Sequence, residues 1–145
     1  MPLELHEAHR LARINYAPRA LAFGYTYLVL WALVAERGGS AWVLVFGALQ
    51  FLAYPQLAYL HARMVADSKR AELNNLLADS LLLGAWAVQM HCALWPTFGI
   101  LAAVSLNSAA SGGLRKLSHA LGLFALGAIG WGAFSGYRFH PDTGP

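Results

Sequence analysis

The chain has 145 residues, of which 58% are hydrophobic and 12% charged, and its formal net charge at pH 7 is +3. Soluble domains carry about 45–50% apolar and about 25% charged residues, so this composition argues against a water-soluble protein and favours one membrane-embedded bundle. Cys92 is the one cysteine, which excludes an internal disulfide and a cysteine-based metal site.

The N-terminal segment, residues 1–17, differs from the rest of the chain because apolar and charged side chains alternate in it. Leu3 and Leu11 stand among Glu7 and Arg10. Such a mixture is typical of a helix that lies in the membrane interface with one apolar face. We therefore predict an amphipathic cytoplasmic segment there.

Five apolar runs follow, and a bilayer crossing takes about 20 residues; the fourth run is shorter than that. We predict spans over 18–35, 41–62, 73–90, 97–110 and 117–137, and a polar outer tail at 138–145. Pro18 suits a first helical turn, and Pro55 is expected to kink the second span. Gly112 and Gly113 are expected to turn the chain between the fourth and fifth spans. The predicted fold class is all-α, a polytopic transmembrane helix bundle of about five spans over residues 18–137.

The basic residues indicate the orientation of these spans. Eight of the ten Lys and Arg residues form three clusters, namely Arg10, Arg13 and Arg19, then Arg63, Lys69 and Arg70, then Arg115 and Lys116. If all five runs cross the bilayer, the three clusters fall on one side, which the positive-inside rule makes cytoplasmic. A multi-pass protein with a cytoplasmic N-terminus follows. No basic face remains for nucleic acid, so we predict no nucleic-acid partner.

Five polar residues are expected near the cytoplasmic ends of the spans. Asp79 is the one acid inside an apolar run, and Asn75 precedes it by one helical turn on the same face. A carboxylate in lipid costs at least ~2.5 kcal/mol, so such a residue usually faces the bundle and has a partner. Asn107, His119 and His61 are predicted at the same depth. This intramembrane polar cluster is either a hydrogen-bonded clasp that fixes helix register or a site for a ligand, a proton or a signal.

Catalytic and cofactor sites carry recognisable sequence motifs. The sequence has no phosphate-cradling glycine loop, nucleophile elbow, HExxH pair or close pair of carboxylates. Haem ligation in a membrane requires two axial histidines at the same depth, and at most His61 and His119 meet that condition. We predict no catalytic residue, no metal and no cofactor.

Several short motifs occur in an order that resembles one known family. They are APRAL at 17–21, YPQLAY at 54–59, NLLAD at 75–79, Gly84 with Trp86, Pro96, Leu106-Asn107, and Gly112-Gly113 before Arg115. Over about residues 13–137 the chain resembles the membrane-associated sensor domain of the second class, which precedes the catalytic domains of bacterial diguanylate cyclases and some class III adenylate cyclases. Pro18, Arg19, Pro55, Gly112 and Gly113 are the family-like structural positions, beside Asn75, Asp79 and Asn107.

The resemblance implies a sensory and anchoring module of a bacterial inner membrane, without catalytic activity of its own. Its implied partners are the lipid bilayer and a second copy of the chain, because such cyclases act as dimers, and the stimulus is not implied. Family members usually have six spans. Five spans without a cyclase motif predict either a piece of a longer cyclase or a stand-alone relative. A rival hypothesis is a small transporter or channel subunit that uses Asp79 for a proton or cation, and a third is a haem-bearing redox anchor.

Overall fold

A computed structural model of the chain describes residues 2–65, 67–139 and 141, and the side chains of residues 2–15 and 68 lie outside that description. Its elements are α1 (Pro2–Arg37), α2 (Ala41–Ala48), a π-helical turn (Leu49–Ala53), α3 (Tyr54–Met64), α4 (Ser68–Gln89) and α5 (Leu94–Ser135). The described residues contain no strand, which confirms the predicted all-α class. The predicted amphipathic face of residues 1–17 falls almost entirely on side chains outside the description, as does most of the predicted tail at 138–145.

The count of about five spans is not confirmed. Within the part of the chain that the structure describes, three helices have the length and hydropathy of a membrane span, namely Tyr16–Arg37, Ala41–Met64 and Leu94–Ser135. α4 is not among them, since it carries Glu72, Asn75 and Asp79. Many large apolar side chains of the described chain are exposed, as expected of helices that face lipid, among them Leu21, Leu28, Trp42, Phe46, Leu106, Leu126 and Phe134.

The helices divide into two compact units, Met1–Leu73 and Asn74–Pro145, hereafter unit 1 and unit 2. The boundary falls within α4, so this helix belongs to both. In unit 1, α1 packs along α2, the π-helical turn and α3. Phe23 and Phe51 meet edge to face with ring centroids 5.7 Å apart, a geometry worth about 0.5–1.5 kcal/mol beyond the buried area.

Pro18 and Pro55 behave differently from the simplest expectation. Pro18 lies well inside α1, not in a first turn, because the N-terminal segment is helical and joins the first apolar run without a break. Pro55 is fully buried at the start of α3. It has no N–H for the carbonyl four residues earlier, and the chain widens just before it into the π-helical turn, which the Tyr54 N–H closes on the Leu49 carbonyl.

Unit 2 is built on a close contact between α4 and the C-terminal half of α5. A Cβ atom on Gly84 would lie 2.0 Å from the Phe124 carbonyl oxygen, and one on Gly127 would lie 1.9 Å from the Leu81 carbonyl oxygen. Each glycine therefore faces a backbone carbonyl that lies three residues before the other glycine in the sequence. The two backbones touch, as small residues permit in membrane helices.

These two helices run parallel. Beyond the glycine contact, the Trp131 indole Nε1 donates a hydrogen bond to Gln89 Oε1 at 2.8 Å. Gln89 follows Gly84 on α4, and Trp131 follows Gly127 on α5. Moving towards the C-terminus of one helix thus also moves towards the C-terminus of the other, and the chain must return between them.

The return is made by residues 94–111, because α5 is two helices joined at a break. Gly112 has φ −167° and ψ 21°, and Gly113 has φ 65° and ψ −162°, both outside the helical region. The positive φ of Gly113 suits glycine, which has no Cβ to clash. The break lies where the turn at Gly112 and Gly113 is predicted.

Candidate functional site

The five residues of the predicted polar cluster are distributed over both units. His61 belongs to unit 1, and Asn75, Asp79, Asn107 and His119 belong to unit 2. His61, Asn107 and His119 are exposed, Asn75 is half-buried, and Asp79 is 5% exposed. The structure brings Asn75 and Asp79 together, one turn apart on α4, and leaves Asn107 and His119 on exposed parts of α5.

The buried polar face of α4 contains a hydroxyl beside the carboxylate. Ser80 is 1% exposed, and its Oγ donates a hydrogen bond to the Leu76 carbonyl at 2.9 Å. A hydroxyl can thus be satisfied within its own helix. An ionised carboxylate has no proton to donate and can only accept hydrogen bonds, so Asp79 differs from Ser80 in needing a donor group.

A second polar constellation lies in unit 1, and the sequence did not reveal it. Arg19 Nη1 lies 3.4 Å from Glu72 Oε1, and the two side chains are 7% and 8% exposed. The pair joins α1 to the beginning of α4. The Arg19 guanidinium also lies 5.9 Å from the centre of the Tyr54 ring on α3, within range of a cation–π interaction. One cation therefore contacts groups from two other helices.

Aromatic and amide groups extend this constellation along α1 and α3. The Tyr16 and Tyr59 rings lie 4.6 Å apart, and the Tyr16 hydroxyl donates a hydrogen bond to Gln56 Oε1. The Arg63 guanidinium lies 5.7 Å from the centre of the Tyr59 ring. Tyrosine rings that pair with arginines in this way are common at the membrane interface, where one end of the side chain is apolar and the other polar.

The sequence predicts that Arg19 is one of the basic residues that orient the spans and one of the family-like structural positions. In the structure it is also a buried partner of Glu72, a residue to which the sequence gave no role. The one feature of the sequence that could have indicated this pair is the position of Glu72, an acid close to the start of an apolar helix. Such an acid is more often a solvated residue at the helix end.

The remaining family-like positions have backbone roles. Pro55 is buried beside the π-helical turn, Gly112 and Gly113 form the break in α5, and Pro18 is exposed within α1. Within the described residues, no group of three or more His, Cys, Asp or Glu side chains is close enough to hold a metal ion.

Comparison with known proteins gives one match. The family model of the MASE2 domain matches residues 14–102, more than half of the chain. Arg19, Pro55, Glu72 and Asp79 lie within the matched region. No curated protein and no solved structure matches the chain.

Proposed function

The chain belongs to the MASE2 family of membrane-associated sensor domains, and from that premise we propose that it is the membrane-embedded sensory and anchoring part of a bacterial nucleotide-cyclase signalling protein. The resemblance read from the sequence is confirmed at the level of the family. The domain is sensory and not catalytic, and its apolar helices give it a membrane location. The cyclase, diguanylate or class III adenylate, is part of the proposal.

The observation that carries this proposal is the family match together with three helices fit to cross a bilayer. A module of this kind needs a way to pass a change in helix packing to another domain. The buried carboxylate of Asp79 beside Asn75 on α4 is suited to that task. A polar side chain in a membrane has few possible partners, so the helices that it joins pack in a small number of distinct ways.

We also propose a five-crossing topology in the bacterial inner membrane, with the N-terminus in the cytoplasm. The parallel packing of α4 and the C-terminal half of α5 supports it, since third and fifth spans must run in the same direction. One straight helix of 42 residues would be about 63 Å long, twice the ~30 Å of a hydrocarbon core. Two crossings on either side of Gly113 fit better.

Reporter fusions test this topology. Alkaline phosphatase, which is active outside the cytoplasm, is expected to be active when fused after Cys92 and inactive when fused after Gly113. Green fluorescent protein at the same two positions should give the opposite result. If alkaline phosphatase is equally active at both positions, residues 94–111 do not cross the membrane and the five-crossing topology is wrong.

The bilayer and a second copy of the chain are the proposed partners, because cyclase catalytic domains of this kind act as dimers. In this proposal a stimulus changes the packing of the helices of unit 2, with Asn75, Asp79 and Asn107 as the polar contacts that differ between two states. His61 and His119 remain proposed members of the same polar level. No cofactor or metal is required by this mechanism.

Replacing Asp79 with Asn in a fusion with a diguanylate cyclase domain, joined through an added sixth span, tests the signalling role. We expect cyclic dinucleotide output to change about fivefold or more, since coupling free energies between sites are typically about 1–3 kcal/mol. Asn74→Ala is the matched control, because Asn74 is an exposed neighbour on the same helix. Unchanged expression and output in Asp79→Asn would remove Asp79 from the mechanism.

A small transporter or channel subunit is the second candidate, and the burial of Asp79 favours it. A buried carboxylate in a membrane helix is a common carrier site for protons and cations. Proton or cation flux into proteoliposomes that disappears in Asp79→Asn would support this function over the sensory one. Flux that is absent from the unaltered protein leaves the sensory function in place.

A further inference from the structure

The Arg19–Glu72 pair is buried, and a buried ion pair is expected to add little to stability. Both groups are over nine-tenths buried, and taking two charges out of water offsets most of their attraction. Replacement of such a pair by apolar residues is often neutral or stabilising. Such a pair can instead specify one arrangement of the helices that it joins.

The geometry of the pair differs from that of a tight ion pair. Its N···O distance of 3.4 Å is longer than the roughly 2.7–2.9 Å of a strong charge-assisted hydrogen bond. The guanidinium already faces the Tyr54 ring. When Glu72 withdraws, Arg19 therefore keeps an aromatic surface that stabilises its charge, which lowers the cost of the open state.

The position of Glu72 connects this contact to the rest of the chain. It lies in the second turn of α4, whose start is capped by Asp67, as Asp67 Oδ1 accepts the Arg70 N–H at 2.9 Å. α4 continues from unit 1 into unit 2 and carries Asp79. A contact that holds the beginning of α4 on α1 thus acts on the helix that contains the proposed signalling carboxylate.

We propose that Arg19 and Glu72 form a latch, which holds the first turns of α4 on α1 and opens locally while the rest of unit 1 stays folded. The proposal rests on the sensory function proposed above, because it assigns that function a contact that changes between two conformations. The latch itself is a property of unit 1 and can be measured without any cyclase.

Hydrogen exchange of the purified full chain in nanodiscs tests the latch. In Glu72→Gln, which keeps the shape of the side chain and removes its charge, exchange at residues 71–73 is expected to increase at least tenfold, with no change at residues 57–64 of α3. In R19M/E72M, protection at 71–73 should return to that of the unaltered protein or exceed it. Glu36→Gln, at an exposed acid of α1, is the control.

An increase in exchange that is uniform over unit 1 would overturn the latch, because it would mean that the pair only supports global stability. If Glu72→Gln does not fold, Glu72→Asp shortens the side chain while keeping its charge and should give the same local increase. Failure of both to fold would also overturn the proposal, since a contact that cannot be weakened cannot open.

The cyclase fusion separates this inference from the proposed function. If both the latch and the sensory function are correct, Glu72→Gln opens the latch and R19M/E72M holds it closed. The two variants then shift cyclic dinucleotide output in opposite directions. If exchange changes locally but neither variant changes the output, the latch stands and the proposed signalling function fails. If output follows only the amount of folded protein, and R19M/E72M restores both, the pair is structural and the latch is wrong.

Discussion

A methyl group on Gly84 or Gly127 is expected to lower the free energy of unfolding of unit 2 by about 2 kcal/mol, since a clash of about 3 kcal/mol outweighs a gain of about 1 kcal/mol in helix propensity. The atom that each Cβ would meet is a backbone carbonyl oxygen, at 2.0 Å or 1.9 Å. A carbonyl cannot rotate away as a side chain does. The two helices must separate, and the contacts around the crossing are lost.

Gly130→Ala is the matched control, because a Cβ there meets nothing within 4 Å. It should be neutral or stabilising by up to about 1 kcal/mol. Unfolding in mixed micelles with increasing SDS measures all three variants. The double variant G84A/G127A should cost less than the sum of the single ones, as both act at one crossing. Equal stability of Gly127→Ala and Gly130→Ala would contradict the close contact of α4 with α5.

The parts of the fold that the sequence predicts well depend on local chemistry. Apolar runs of helical length and the need of Gly113 for a positive φ are visible without knowing what each residue contacts. The π-helical turn before Pro55 was not predicted. Proline shows that an α-helical hydrogen bond is missing, but the neighbouring packing decides whether the helix kinks, breaks or widens.

The candidate site is harder to predict from the sequence, for two physical reasons. Depth along a helix does not fix its rotation, so the prediction that Asn107 and His119 lie at the level of Asp79 does not say which way their side chains face, and both are exposed in the structure. The contact between Arg19 and Glu72 joins residues 53 apart in the chain. Nothing in the spacing of two charges separated in this way distinguishes a buried pair from two residues in the headgroup region.

The Arg19–Glu72 pair gives the second large expected effect on stability. Replacing Arg19 with Met should lower the free energy of local opening at the beginning of α4, measured by hydrogen exchange at residues 71–73, by about 3–5 kcal/mol, the usual cost of removing one partner from a buried pair. Glu72 then remains buried without the cation it contacts, and the Tyr54 ring loses its guanidinium. Arg63→Met is the control, because Arg63 also lies over a tyrosine ring but is exposed.

A double-mutant cycle separates loss of the pair from loss of packing. If the 3–5 kcal/mol arises from a charge left behind, Glu72→Met removes that charge, and R19M/E72M should recover most of the stability lost in Arg19→Met. Methionine suits both positions because it is unbranched and fills irregular space. If instead the two substitutions add, the guanidinium stabilises unit 1 through its contact with Tyr54 and not through Glu72. The energetic partner of Arg19 would then be the aromatic ring of α3, and the beginning of α4 would be held by other contacts.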